Sequence, residues 1–253
     1  MAATGKPAPD TLAIDVGGTG IKASVLDPTG HMEHERVRVD TPYPLPPEKL
    51  VDTVRSLLSQ LPAFDRVSLG FPGMVRDGKV LTAPHFVSPT GPGGKIDPEL
   101  LRAWTGFNLQ AALATELGKP AKVANDADLQ GAAVVNGRGL ELVVTLGTGV
   151  GTALYYKGRL CPHLELAHHP FRNDQTYNEQ LGDATRKRIG NGKWNRRVKV
   201  MVETLHALMF YDHLYIGGGN STHVDENEPG PDVTLVDNAA GILGGIKLWE
   251  RSR

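Results

Sequence analysis

Leu12-Ala-Ile-Asp-Val-Gly-Gly-Thr-Gly-Ile-Lys22 decides how this chain is read, because Leu142-Val-Val-Thr-Leu-Gly-Thr-Gly-Val-Gly-Thr152 repeats its layout about 130 residues later. Each stretch is an apolar, β-branched run broken by glycines and threonine. Glycine leaves backbone N–H groups open in a tight bend and threonine adds a hydroxyl donor, the composition of a hairpin that approaches phosphate oxygens. One such loop says little. Two in one chain point to a phosphate held by two similar lobes, and so to phosphoryl transfer.

The surroundings of the first loop read as an antiparallel meander: Leu12–Val16, Lys22–Leu26 and Glu35–Val39, with a turn at Asp27-Pro-Thr-Gly30. A proline-rich connector, Thr41 to Pro47, leads to a helix over Glu48–Gln60 with Leu50, Val54, Leu57 and Leu58 on one face. The strand Val67–Phe71 follows and stops at Pro72-Gly73. Residues 76–94 are irregular and rich in proline and glycine. Two helices are expected next, Asp97–Thr105 and Asn108–Leu117, with Asn108 as N-cap. Val123-Ala-Asn-Asp-Ala-Asp128 opens the second half and runs into an alanine-rich helix to about Val135. Glu141–Leu146 and Thr152–Tyr156 flank the second loop. Trp194–Phe210 has helical apolar spacing and feeds the strand His213–Ile216, which stops at Gly217-Gly-Gly219. A last strand, Val233–Val236, and a helix from Asn238 to about Trp249 close the chain. The division predicted is 1–120 for an N-terminal α/β lobe with the first phosphate loop. Residues 121–253 form the C-terminal lobe, with Asp126, the second loop and the glycines at 217–219.

At 253 residues the chain suits two lobes of roughly 120 each. Its 40% hydrophobic and 22% charged residues describe an ordinary globular protein, and a net charge of −1 gives no global argument for nucleic acid or membrane partners. A lone cysteine, Cys161, excludes an intrachain disulfide and a multi-cysteine zinc site, and fits a reducing cytoplasm. No run approaches the roughly 18 apolar residues of a membrane span. Met1 to Asp10 lack the apolar core of a secretion signal and read as a lead-in, leaving no room before Leu12 for a DNA-reading helix-turn-helix.

Asp15, at the end of its strand and directly before the glycines, can hold a magnesium ion through water or can simply stabilise the turn. Asn125-Asp126 ends an apolar strand before a helix. On its own that pattern reads as an N-cap, a role open to Asp128 as well; beside two phosphate loops it favours Asp126 as a general base. Gly217, Gly218 and Gly219 leave bare backbone for a flat ring or ribose, or make a tight turn. Glu165, His168 and His169, with His163 nearby, have no cysteine partners beyond Cys161 and no acid at helical i, i+4 spacing. Hydroxyl binding is therefore favoured over a metal. Arg186, Lys187, Arg188, Lys193, Arg196, Arg197 and Lys199 form either a solvated helix face or a track for a phosphate polymer.

Taken together, Ala13–Lys22, Gly70-Phe-Pro-Gly73, Thr82-Ala-Pro84, Asn125-Asp-Ala-Asp128, Thr145–Gly151, Glu165-Leu-Ala-His168, Ile216-Gly-Gly-Gly219 and Asn238-Ala-Ala-Gly241 resemble, in order, the motifs of the ROK (repressor, open reading frame, kinase) sugar kinases. The likeness is greatest to their polyphosphate-dependent glucokinases. The resemblance implies the two-lobed, actin-like (ribonuclease-H-like) α/β fold with an interlobe cleft. It also implies transfer of phosphate from polyphosphate or ATP to the 6-hydroxyl of a hexose, with Mg2+, in a homodimer. By position, Asp126 is then the base and Asp15 serves the metal. Gly17, Gly18, Thr19, Lys22, Gly147, Thr148, Gly149, Gly151 and Thr152 hold phosphates, Asn125, Glu165 and His168 bind sugar hydroxyls, and Gly217–Gly219 lie under adenosine.

Departures from the pattern fall on the sugar side. The usual Glu-x-Gly-His is Glu165-Leu-Ala-His168, and the asparagine usual after Ala-Pro is His85, which takes that sugar-contact position here. A Pro/Gly insertion, Ser88 to Gly94, and Asn220 after the three glycines are further changes, and the family's cysteine-rich zinc motif is missing, so no zinc is expected. These changes leave a second reading open, a sugar-binding sensor that has kept the fold and lost turnover.

Overall fold

Thr11–Val16 (β1) is buried over nearly its whole length because it becomes the central strand of a five-stranded sheet. The structure, a computed structural model, describes residues 8–32, 34–226, 230, 232–236 and 240–251. It divides into two units, with the boundary between Asp126 and Ala127.

In the first unit β1 pairs antiparallel with Gly20–Leu26 (β2), and β2 with Val37–Asp40 (β3). The helix Pro47–Leu57 (α1) returns the chain to Arg66–Phe71 (β4), parallel to β1. A two-residue hairpin, Val75–Arg76 (β5) with Lys79–Val80 (β6), lies in the segment expected to be irregular. Its Asp77-Gly78 turn, with both residues at positive φ, is the only sequence trace of it. Pro98–Trp104 (α2) and Leu109–Leu117 (α3) follow, the latter capped as expected by Asn108, whose Oδ1 accepts from Ala111 N at 2.9 Å. The core gathers Leu12, Ile14, Leu69, Phe71, Phe86 and Trp104, and the buried Trp104 indole donates to Leu45 O at 2.9 Å.

Ala121–Asn125 (β7) completes this first sheet. The sequence division at 120/121 put this strand in the second half, yet it pairs residue by residue with β4, from Val67↔Ala121 to Phe71↔Asn125. A parallel strand joins its neighbour only through a crossover, here α2 and α3, so its membership cannot be read from adjacent sequence.

The helix Asp126–Val134 (α4) leads into the second unit. Its strands are Leu140–Leu146 (β8), Val150–Tyr156 (β9) and Arg159–Leu160 (β10). A small hairpin of Pro170–Arg172 (β11) and Gln175–Thr176 (β12) precedes three helices, Tyr177–Leu181 (α5), Asp183–Ile189 (α6) and Asn191–Met209 (α7). His213–Gly217 (β13), Val233–Leu235 (β14) and Ala240–Arg251 (α8) end the chain. The sheet order β10-β9-β8-β13-β14 repeats β3-β2-β1-β4-β7, with the same antiparallel pairs followed by the same parallel pairs. The two halves are one design used twice, although little but glycine and threonine is shared in sequence. Trp194, Met201 and Leu205 of α7 pack under Leu142, Val144 and Leu214, and the Trp194 indole donates to Leu181 O at 2.9 Å. Among the described residues no helix is long and apolar enough to cross a membrane. The lead-in Met1–Pro7 and the start of the last motif, Asn238-Ala239, lie outside the described residues.

Candidate active site

At the β1–β2 corner the ladder sets Asp15 opposite Lys22, and Lys22 Nζ lies 3.4 Å from Asp15 Oδ2. The turn between them is tied down by its backbone. Gly17 N donates to Gly20 O at 3.0 Å, Thr41 Oγ1 to Gly17 O at 2.7 Å, and Tyr43 OH to Gly18 O at 2.9 Å. Arg38 donates to Thr19 O at 3.2 Å. His85 packs against this turn: a Cβ on Gly18 would lie 2.8 Å from Pro92 Cγ and 3.4 Å from His85 Nδ1. His85 Nδ1 is buried without a hydrogen-bond partner, and burial lowers the ring's pKa below its ordinary 6.5, so the imidazole is neutral at pH 7. The structure thus brings Asp15, Gly17, Gly18, Thr19, Lys22 and His85 to one corner. Asp15 keeps a side chain 58% exposed, a hard oxygen donor open to a hydrated divalent cation.

Asn125, at the end of β7, is buried, and its Nδ2 donates to Gly73 O at 3.0 Å. Its amide therefore locks the Phe71–Gly73 turn. Asp126 follows as the first residue of α4.

The β8–β9 corner is the counterpart in the second unit. Register places Thr145 and Gly151 where the first corner has Asp15 and Lys22, and its turn is one residue shorter. Val150 N donates to Asn178 Oδ1 at 2.6 Å, Asp183 N to Gly147 O at 2.9 Å, and Asn220 Nδ2 to Gly147 O at 3.0 Å. These clamps leave Gly147 with open space on its Cβ side. Thr152 leaves the expected phosphate set. It sits in β9 with its side chain turned inward, and its hydroxyl donates to the Leu164 carbonyl.

The three glycines after β13 differ among themselves. Gly218, at φ +85°, backs onto Leu146, where a Cβ would overlap the carbonyl oxygen. Gly217 faces Val236, while Gly219 alone has nothing within 4 Å. Gly218 is therefore required by packing, and Gly219 is the position with room for a ligand.

Glu165 is held by a neighbour that the sequence reading did not use. His163 Nδ1 lies 3.1 Å from both carboxylate oxygens of Asp128, and its Nε2 lies 3.7 Å from Glu165 Oε2, too far for a hydrogen bond. The side chains of His163 and Asp128 are each 3% exposed, that of Glu165 29%. Burial lowers the His163 pKa, but the two carboxylates outweigh it and carry the ring to about 9. Burial raises the Glu165 carboxyl; His163, the Ala167 N–H at 2.8 Å and the charge of His168 together hold it below its usual value. His168 and His169 are exposed. The signal available in sequence was the His163-x-Glu165 spacing, which puts both side chains on one side of an extended segment.

In the basic stretch, Asp183 pairs with Arg186 at 2.8 Å and with Lys187 at 2.6 Å, and Arg197 donates to Gln180 O at 3.1 Å. Lys193, Arg196 and Lys199 stay exposed on α7, opposite its buried Trp194, Val198 and Met201. Among the described residues no group of three or more His, Cys, Asp or Glu is arranged to hold a metal ion.

The chain is similar to known proteins. The ROK family profile matches residues 11–163. The polyphosphate glucokinase of Mycobacterium tuberculosis (strain CDC 1551 / Oshkosh) is 28% identical over 246 residues, covering 91% of this chain and 88% of that one. Among solved structures, the inorganic polyphosphate/ATP-glucomannokinase of Arthrobacter sp. strain KM is similar at a TM-score of 0.75 and 28% identity, covering 94% of this chain and 97% of its own. A ROK family glucokinase from Streptomyces griseus, solved with glucose and AMPPNP, shares the fold at a TM-score of 0.66 and 18% identity, covering 94% and 98%. With the family profile matching more than half of the chain, on a fold shared with ROK sugar kinases, the chain belongs to the ROK family.

Proposed function

We propose that this chain is a hexose kinase that transfers a phosphoryl group from inorganic polyphosphate or ATP to the 6-hydroxyl of glucose or a related hexose. The observation that carries the reading is the duplicated glycine corner, β1–β2 and β8–β9, at the same place in two sheets of identical order. The names of its relatives, a polyphosphate glucokinase and a polyphosphate/ATP-glucomannokinase, support both donors.

In this reading Asp126 takes the proton of the attacking hydroxyl as the O–P bond to the donor breaks and the new one forms. Lys22 and the two glycine loops, with Gly17, Gly18 and Thr19 in one and Gly147, Thr148, Gly149 and Gly151 in the other, hold phosphate oxygens. Asp15 holds magnesium through water, and the ion, when bound, neutralises charge on the donor phosphates. Asn125, His85, Glu165 and His168 face the sugar, and Gly219 gives an adenosine room. Lys193, Arg196 and Lys199 neutralise successive phosphates of a long polyphosphate. The reading further includes a homodimer in the cytoplasm.

The test is an assay of several hexoses against ATP and polyphosphate, with Asp126→Asn alongside. A general base predicts a loss of about 10²–10⁴-fold in kcat. Undiminished turnover by Asp126→Asn sinks the base assignment. Hexose binding with no sugar phosphate from either donor turns the reading to a sensor.

A further inference from the structure

We propose that His163 is a positioning residue that holds the Glu165 carboxylate for the sugar hydroxyls, itself anchored through its other ring nitrogen by the buried carboxylate of Asp128. The proposal rests on the reading of Glu165 as a sugar contact, and it assigns two residues outside that reading.

The geometry is a three-member chain from core to surface. Asp128, in the first turn of α4, is 3% exposed in its side chain and faces His163 Nδ1 with both oxygens at 3.1 Å. The His163 ring is as deeply buried. Only the last member, Glu165, reaches solvent, at 29%. Its Oε1 accepts from Ala167 N at 2.8 Å, so one oxygen is fixed to the backbone. The other, Oε2, looks back at His163 Nε2 across 3.7 Å. That nitrogen is buried and has no hydrogen-bond partner. A hydrogen bond of about 2.9 Å needs the two atoms to approach by under an ångström. A sugar hydroxyl donating to Glu165 can draw the carboxylate into that bond.

Stability alone is a poor reason for the arrangement. Burying a charged imidazole beside a carboxylate costs desolvation of both, and an apolar pair of the same volume commonly does as well. What the charged chain does provide is an acceptor-only carboxylate at the surface end. A sugar diol needs acceptors for its hydroxyl protons, and an ionised Glu165 offers two oxygens for them. Without the cation behind it, burial would push Glu165 toward its protonated form, which donates and matches the diol less well.

Tyr155 of β9 donates its hydroxyl to the backbone carbonyl of Asp128, which fixes the α4 turn that aims the carboxylate. Arg251 of α8, Cys161 and Asp128 act on Tyr155 electrostatically, and His168 acts on Glu165. The His163 ring titrates against the carboxylates of Asp128 and Glu165.

The experiment compares wild type, His163→Gln and Glu165→Gln in steady-state kinetics with glucose, and measures glucose binding by calorimetry. Both variants should raise the glucose KM and Kd by about tenfold or more, the equivalent of about 1.4 kcal/mol. His163→Gln should leave the donor KM unchanged and kcat within about threefold, a split that general misfolding does not give. In wild type the glucose KM should rise above pH about 9, and His163→Gln should flatten that rise. Nitrogen-15 histidine spectra of the wild-type protein give a readout that needs no variant: the His163 ring signals should move when glucose is saturating. A glucose-sensitive Glu165→Gln with a wild-type-like His163→Gln, or a His163 ring indifferent to glucose, overturns the positioning role and leaves the sugar reading standing. Equal losses in kcat and both KM values in His163→Gln also overturn it, in favour of a structural role. A Glu165→Gln enzyme with unchanged glucose KM overturns the sugar reading itself.

Discussion

Asp15 and Lys22 face each other across the β1–β2 ladder, Nζ 3.4 Å from Oδ2, with 58% and 39% of their side chains exposed. A pair so open to water contributes only ~0–1 kcal/mol to stability. Its placement beside the glycine turn makes it an electrostatic feature of the donor side instead. Lys22→Ala should therefore melt within a few degrees of wild type. Its kcat/KM for the phosphoryl donor should fall about 10²–10³-fold, the loss typical of one charge-stabilising group. The donor KM should rise while the hexose KM stays put, and a comparable rise in both would contradict the assignment.

Gly218 and Gly219 are adjacent and should respond in opposite ways. Gly218→Ala places a Cβ on the Leu146 carbonyl at φ +85°, a conformation that costs an L-residue about 1–3 kcal/mol even before the overlap. At roughly 2–4 °C per kcal/mol for a chain of this size, its melting temperature should drop by about 5 °C or more. Gly219→Ala meets nothing within 4 Å and should melt like wild type. Any loss it shows should be confined to turnover with ATP, because an added methyl group would meet only the ligand. Thermal melts paired with assays on the two donors separate these outcomes.

The titrations of His163 and His85 set opposite pH slopes on stability. His163 is raised from 6.5 to about 9 in the folded protein, so its stabilisation is fully present below about 6.5 and is lost as pH climbs to about 9. His85 is lowered by burial, so its contribution is present above its ordinary 6.5 and is lost as pH falls below that value. Melting temperatures across pH 5 to 10 should thus fall on both sides of a neutral maximum. His163→Gln should remove much of the alkaline fall, and His85→Gln part of the acid fall. An alkaline slope that survives in His163→Gln would show that other groups carry it.

What sequence revealed about this fold was local. The two glycine corners, the Asn108 cap and the apolar face of α7 depend on residues within a few positions of one another, where periodicity and turn chemistry act. What it concealed was non-local. The membership of β7 in the first sheet depends on a partner 54 residues away, as Val67↔Ala121. The Asp128–His163 contact spans 35 residues and follows from how the segment after β9 passes α4. The strand position of Thr152 is legible, but not the Leu164 carbonyl that engages its hydroxyl. Glycines were legible as a class and not as individuals, since only the packing of Leu146 distinguishes Gly218 from Gly219.

Arg251 ties the last helix to the one that begins with Asp126. Its Nε donates to Ala132 O at 2.8 Å, Nη2 to Val135 O at 2.7 Å and Nη1 to Gly158 O at 3.3 Å. Ala132 and Val135 lie at the C-terminal end of α4, where carbonyls lack helical partners and carry the negative end of the helix dipole. One planar guanidinium serves these carbonyls, a fork that a lysine ammonium cannot reproduce. Arg251→Met keeps much of the aliphatic stem and leaves the carbonyls without this donor. Stability should fall by about 2–4 kcal/mol, on the scale of a lost charge-assisted hydrogen bond together with stranded acceptors. Arg251→Lys should recover less than half of that. Because the contact is made at the far end of α4, kcat should fall much less than in Asp126→Asn. Urea unfolding and kinetics on wild type, Arg251→Met, Arg251→Lys and Asp126→Asn measure both effects, and an Arg251→Met protein as stable as wild type would show that this clamp does not hold the two helices.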